Sequence, residues 1–178
     1  SACGRGGHWE GALALLGSMR GFRLKPDAVS CSAAISACEK VGRWHLAVAL
    51  LCAACQLRVR PNVVGCNAAV SACEKAAKWQ HALALLGWLP RLGLRPDVIS
   101  CNASISACAV AAEWQQALAL LGLMPGLRLA PNLVSCNAAL SACKEAVQWQ
   151  LALALLCELP RIRLRPNVIS CSTAITAC

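Results

Sequence analysis

The chain has 178 residues and a formal charge of +9, from 17 basic and 8 acidic side chains, and 58% of its residues are apolar. So apolar a chain invites a membrane reading, yet no uninterrupted apolar run approaches the ~18 residues of a spanning helix. Leu46–Cys55 is among the longest and is closed by His45 and Gln56. This excludes membrane spans and predicts buried, stacked helices, while the basic excess favours an anionic partner without naming one.

Taken from its first residue, the chain begins inside a repeating unit. Tryptophan recurs at 9, 44, 79, 114 and 149, a constant step of 35 residues. Proline keeps the step (Pro26, Pro61, Pro96, Pro131, Pro166), as do two cysteine series, Cys31 to Cys171 and Cys3 to Cys178. A period in this range signals one supersecondary unit used repeatedly, each packing on its neighbours without a single central core. Residues 1–27 read as the back part of one unit and 28–62, 63–97, 98–132 and 133–167 as full units. Residues 168–178 read as the front part of another. The simplest expectation is a fragment of a longer array, with no signal or transit segment visible in it.

Each unit reads as two helices. The first is predicted over roughly Cys101 to Val110 in the third full unit, where Cys101, Ile105 and Cys108 fall on one helical face. Val70, Leu140 and Ile175 continue the middle of that stripe. Ser30, Ser100, Ser135 and Ser170, with Gly65 in the second unit, occupy the expected N-cap. The second helix is predicted to open at the tryptophan, with an apolar face such as Trp79, Ala82, Leu83, Leu86 and Leu89. Pro90, Pro125 and Pro160 should stop it, because an interior proline loses a hydrogen bond and clashes with the preceding turn. A short basic loop such as Arg91–Arg95 follows, then Pro-Asp or Pro-Asn, ordinary turn chemistry. Short loops between such helices give antiparallel pairs, so the predicted fold is all-α, an α-solenoid of tandem helix–turn–helix repeats.

The chemistry-bearing residues were weighed against simpler roles. The tryptophans sit in phase with the helix core, which favours packing over base stacking. Cys101 and Cys108 lie seven residues apart, about 10 Å along a helix, too far for the ~7 Å Cα separation of a disulfide. Cys52-Ala-Ala-Cys55 is a lone CxxC without a second ligand pair, so no metal or cofactor is expected. The cysteines read as small apolar filler, and reduced thiols fit an intracellular compartment. His8-Trp9-Glu10 matches the H-x-E of zinc deaminases but lacks its P-C-x-x-C partner. Three histidines with no nucleophile or paired carboxylates beside them give no basis for an active site.

Units such as PDVISCNASISACAVAAEWQQALALLGLMPGLRLAPN resemble the pentatricopeptide repeat in its 35-residue, P-type form. The shared features are the unit length, the Pro-Asp/Asn junction and the Val/Ile opening. The Asn or Ser inside the first helix and the ALALL second helix complete the match, which covers the whole chain. The tetratricopeptide repeat, with its 34-residue period and W-x₂-L-G-x₂-Y pattern, fits less well, since this chain has no tyrosine. One departure from the family is Cys31, Cys66, Cys101, Cys136 and Cys171, where an aromatic residue is usual.

The resemblance implies a superhelix that binds single-stranded RNA, one base per unit. Base identity would be read by Ser32, Asn67, Asn102, Asn137 and Ser172, paired with the residues after the junction proline: Asn62, Asp97, Asn132 and Asn167, and Asp27 from the incomplete first unit. Asparagine carries both a donor and an acceptor, which suits a base edge exposed in single-stranded RNA. The family's pairing tendencies imply adenine for Ser32 with Asn62 and uracil for Asn67 with Asp97. They imply a pyrimidine for Asn102 with Asn132 and for Asn137 with Asn167, hence 5′-A-U-Y-Y-3′. Val29, Val64, Ile99, Val134 and Ile169 would wedge between bases, and Arg5, Lys40 and Lys75 would meet phosphates. The phosphate pattern breaks at Val110 and Glu145. The resemblance further implies a non-enzymatic role in RNA processing, stability, translation or editing, in a chloroplast or mitochondrion. Protein partners are also compatible with it. The competing reading is a peptide-binding α-solenoid scaffold. Uncapped ends would leave apolar helix faces open and favour self-association.

Overall fold

The structure, a computed structural model, describes residues 26–178 together with Glu10, Gly11, Ala14 and Ser18, which are helical. Arg5, Cys3, His8 and Trp9 lie outside the described residues. Five first helices run Ala28–Lys40 (α1), Val63–Lys75 (α3), Val98–Val110 (α5), Leu133–Glu145 (α7) and Val168–Thr176 (α9). Four second helices alternate with them: Trp44–Gln56 (α2), Trp79–Trp88 (α4), Trp114–Leu123 (α6) and Trp149–Glu158 (α8). No strand occurs among the described residues.

The chain divides into two compact units, one of residues up to Ala76 with Gln80–Arg95, the other of Ala77–Trp79 with Pro96–Cys178. In the first, α1 packs on both α2 and α3, and α2 fills the seam with α3. In the second, first helix packs on first helix, α5 on α7 and α7 on α9, with α6 and α8 against their flanks. The seams are lined by small side chains: Ala69, Ala72, Cys73, Ala107, Cys108, Ala142 and Cys143 are all fully buried. Larger plugs, Ile35, Leu51, Ile105, Leu140 and Leu159, fill the remaining space and are at most 1% exposed. Each such side chain contributes about 1.5–3 kcal/mol by leaving water.

The first helices start three residues earlier than expected, and the reason is the cap. Asp27, Asn62, Asp97, Asn132 and Asn167 are the N-caps, each accepting the backbone N–H three residues on, from Ser30, Gly65, Ser100, Ser135 and Ser170. The serines therefore hold the third helical position, and all four complete a capping box by accepting the cap residue's own N–H. Asp, Asn and Ser cap about equally well, and here the residue after the junction proline takes the cap while the serine supports it from the third helical position.

The second helices open at the tryptophans. Those followed by Pro90, Pro125 and Pro160 are 10 residues long, whereas α2, with Cys55 in the equivalent place, runs on to 13 residues. The tryptophans are less buried than a core reading implies. Trp114 packs against the cluster around Leu140, Cys143 and Ala152, but Trp149 is 46% exposed. Trp44 stacks on His45 with ring centroids 3.8 Å apart and also meets His81 at 4.7 Å.

Helix ends repeat a left-handed turn that the sequence reading missed. Gly42, Ala77, Ala112 and Val147 have positive φ at the end of a first helix, and Arg58, Gly93, Arg128 and Arg163 have it after a second. At Ala112 the paired bonds Ala112 N–H to Ala109 O (3.0 Å) and Glu113 N–H to Cys108 O (2.9 Å) form a Schellman motif. Glycine serves this conformation without strain, while a β-branched residue is disfavoured there. Val147 is exposed and has φ 55°. Val147→Gly is therefore expected to stabilise the chain by about 1 kcal/mol in urea unfolding, against the usual direction for glycine.

Among the described residues both cysteine series are buried from Cys31 to Cys143: Cys31, Cys38, Cys66, Cys73, Cys101, Cys108, Cys136 and Cys143 are at most 5% exposed. They fill the places where helix approaches helix, and burial raises the pKa of each thiol.

Candidate functional site

In units 28–62, 98–132 and 133–167 the capping geometry places two side chains beside one another. In the first compact unit Ser32 sits one turn into α1, and Asn62 caps α3. The Ser32 hydroxyl lies 2.6 Å from Asn62 Oδ1 and 2.6 Å from Ala28 O, so it has two acceptors for one proton. Ser32 is only 7% exposed, which leaves Asn62 as the more accessible member of the pair. In the second unit Asn102 of α5 approaches Asn132, the cap of α7, with Asn102 Nδ2 donating to Asn132 Oδ1 at 3.4 Å. Asn137 of α7 and Asn167, the cap of α9, share the Ser170 hydroxyl, at 2.7 Å and 2.9 Å. Asn67 and Asp97 are half-buried, and Asp97 caps α5 through Ser100 N–H at 2.7 Å. Asp27 and Ser172 are exposed. The N–H and hydroxyl of Ser30 hold the Asp27 carboxyl below its usual pKa, so this cap stays charged.

The turn chemistry read from Pro-Asp and Pro-Asn is thus a capping role, and it coexists with a surface one. One oxygen of each cap residue is committed to the helix.

Directly beside each cap, two residues on, stands an aliphatic side chain with no core to enter. Val29, Val64, Ile99, Val134 and Ile169 are 60–70% exposed. Their spacing of 35 residues and common exposure mark them as one series. In the second unit this series borders a groove of about 660 Å³ across α5, α7 and α9, lined by Val110, Val134, Asn137, Ser141, Glu145 and Ile169, among others. An apolar wedge on each side of a polar amide is what a flat, hydrogen-bonding ring requires.

The cations are less regular. Lys40 is exposed at the end of α1. Lys75, at the same place in α3, is bonded to Glu39 at 2.7 Å, and Ser71 donates to the same carboxylate at 3.2 Å. In the second unit the equivalent places hold Val110 and Glu145, the latter paired with Lys144 at 2.7 Å. Further positive charge stands on exposed Arg60, Arg95, Arg128 and Arg165 in the junction loops just before the caps. A reading confined to helix positions missed these arginines, although the basic loops were plain in the sequence. No cluster of three or more metal-ligating side chains occurs among the described residues. No described helix is long and apolar enough to cross a membrane.

A family model for the pentatricopeptide repeat domain matches residues 84–146, and one for the PPR repeat matches residues 1–24. None of the curated proteins matches the chain. Among solved structures, the pentatricopeptide repeat protein PPR10 of maize, in complex with an 18-nt psaJ RNA element, is 24% identical, with a TM-score of 0.79. That alignment covers 99% of this chain and 26% of the other, so this chain spans about a quarter of that protein's length. The PPR domain of protein-only RNase P 1 from Arabidopsis thaliana, in complex with tRNA, is 12% identical with a TM-score of 0.79. There the alignment covers 98% of this chain and 92% of the other. At these identities the likeness is one of fold, an all-α solenoid of tandem helical repeats.

Proposed function

We propose that the chain, which pentatricopeptide repeat models match over residues 84–146 and 1–24, is a pentatricopeptide repeat protein and binds single-stranded RNA, one base per unit, through the paired reader residues and the exposed aliphatic series. The observation that carries this reading is the repeated triad of wedge, reader and cap. Val134, Asn137 and Ile169 all line the groove. A base inserted there would bury its faces against aliphatic carbon and its edge against an amide. RNA presents such edges only when single-stranded. The target is 5′-A-U-Y-Y-3′ over units 28–62, 63–97, 98–132 and 133–167, with occupancy of the sequence itself, not catalysis, as the mode of action. An organellar role in transcript processing, stability, translation or editing follows from the family. Lys40 and Lys75 meet the backbone, Lys75 after release from Glu39.

One observation favours a peptide ligand instead. The groove in the second unit carries Glu145 and, at the other equivalent helix end, Val110, where a phosphate would want a cation. Anisotropy titrations with short oligonucleotides separate the two readings. RNA binding predicts preference for AUYY over purine-rich RNA and an affinity that falls with salt, with a log–log slope of roughly −0.7 per phosphate neutralised. Indifference to base sequence and to salt would favour the peptide reading.

Self-association belongs to the same proposal. Cys171 and Ile175 on α9, and Cys178 just beyond it, are exposed, while their counterparts on α7, Cys136, Leu140 and Cys143, are fully buried. A second copy would cover that face. Sedimentation velocity should show dimers that Ile175→Lys removes, and a monomer at all accessible concentrations would refute it.

A further inference from the structure

We infer that Ser135 and Ser170, buried at the third positions of α7 and α9, set the orientation of the reader amides Asn102 and Asn137 in the preceding units, and that they thereby select cytosine over uracil in units 98–132 and 133–167. The inference rests on the RNA reading proposed above and concerns residues outside the reader pairs.

Ser135 and Ser170 are fully buried. Ser135 Oγ lies 2.5 Å from Asn102 Oδ1, 3.0 Å from Asn132 Oδ1 and 3.2 Å from Asn132 N, which donates to it. A hydroxyl has a single proton to give. Asn132 Oδ1 already accepts Ser135 N–H at 2.9 Å, so the proton belongs on the nearer atom, Asn102 Oδ1. That separation suits O–H···O and is too short for an amide N–H donor, which favours 2.7–3.2 Å. The reversed amide would also turn Asn102 Oδ1 toward Asn132 Oδ1, facing two acceptors across the 3.4 Å now bridged by Nδ2. The same arrangement recurs one unit on, where Ser170 Oγ lies 2.7 Å from Asn137 Oδ1.

The first compact unit shows the complementary pairing. One of its readers is Ser32, and the third position of the following helix is Gly65. A Cβ on Gly65 would come within 2.8 Å of Ser32 Oγ. In the second compact unit the asparagine readers Asn102 and Asn137 thus each meet a serine that anchors the amide oxygen. A serine reader meets a glycine that leaves room for its own hydroxyl, which donates to the cap directly.

The consequence is chemical. With Asn102, Asn132, Asn137 and Asn167 all accepting through Oδ1 inside the seam, each has amide hydrogen left to donate, Asn102 the one not given to Asn132 Oδ1. Two neighbouring donors match adjacent acceptors, as in the O2 and N3 of cytosine. Uracil carries a donor at N3 and would set N–H against N–H.

Side-chain NH₂ relaxation in the RNA-free protein tests the lock. The amides of Asn102 and Asn137 should be rigid, Ser135→Ala should release only Asn102, and Ser170→Ala only Asn137. Ser30→Ala, whose hydroxyl bonds only to its own cap Asp27, should release neither. A wild-type Asn102 amide as mobile as that of exposed Gln115 would overturn the inference. With RNA, cytosine should be preferred about tenfold over uracil at the base read by unit 98–132. The ratio should collapse toward one in Ser135→Ala and return in Ser135→Thr. An unchanged ratio in Ser135→Ala would also overturn the inference. Rigid amides without any RNA binding would uphold the lock and refute the RNA reading itself.

Discussion

Leu140→Ala is expected to destabilise the chain by about 2–5 kcal/mol. Leu140 is fully buried at the centre of a cluster with Cys143, Ala152 and Ala177, flanked by Trp114, Leu118, Leu151, Leu155 and Leu156. It lies on α7, which packs against α5, α6, α8 and α9 together, so the cavity has rigid helices on every side and little means of collapse. In a repeat protein stability is close to a sum of unit and nearest-neighbour terms. The loss should therefore concentrate in the second compact unit. Hydrogen exchange is the suited measurement, with amides of α5 to α9 losing protection and those of α1 and α3 keeping theirs. A cost below 1 kcal/mol in urea unfolding, or a uniform loss of protection, would contradict this packing account.

Alkaline pH should unfold the chain, with an effect on the order of several kcal/mol. Burial pushes the thiols of Cys66, Cys73 and Cys108 from an ordinary 9.0 up to about 11. A thiol is neutral when protonated, so the fold favours the protonated form. The stability this represents is fully present below about pH 9, where the unfolded thiol begins to ionise, and is lost as pH rises through about 11. Far-ultraviolet circular dichroism should fall cooperatively across that window, together with a rise in thiolate absorbance. Cys73→Ala should move the midpoint upward, and helicity that persists unchanged to pH 12 would refute the linkage. The same burial protects these thiols at neutral pH, which agrees with their reading as filler.

Much of the fold was legible because the repeat amplified weak signals. The tryptophans mark the starts of α2, α4, α6 and α8, and the prolines account for the shorter second helices. Two errors have a common origin. The caps were assigned to serine, and the left-handed turns at Ala77, Ala112 and Val147 went unseen, because in both cases the residue chosen was the locally favoured type. Schellman geometry is imposed by the antiparallel return of the chain, and in this array alanine, valine and arginine tolerate it where glycine would be chosen. The tryptophans were over-assigned to the core, since helical phase identifies a face but does not say how far a side chain at the helix start reaches past its neighbour.

The candidate site was legible as a list and not as a geometry. The wedge series, predicted from resemblance, lies on the surface throughout. The readers proved unequal. Ser32 is nearly closed off, while Asn102 and Asn137 lean on serines that no spacing argument singled out, because Ser135 and Ser170 had already been spent on capping. The positive charge gathers on loop arginines more than on the helix ends.

The reader pairs are the centre of the account, and exchanging one tests them directly. Asn102→Ser, with Asn132 unchanged, gives unit 98–132 the Ser/Asn pair of unit 28–62. Anisotropy titrations against four oligonucleotides that differ only at the third base should move the preferred base from pyrimidine to adenine, with a discrimination of about 1–3 kcal/mol. A variant that binds as tightly as the parent and keeps the parent's base preference would contradict the claim that these side chains read RNA.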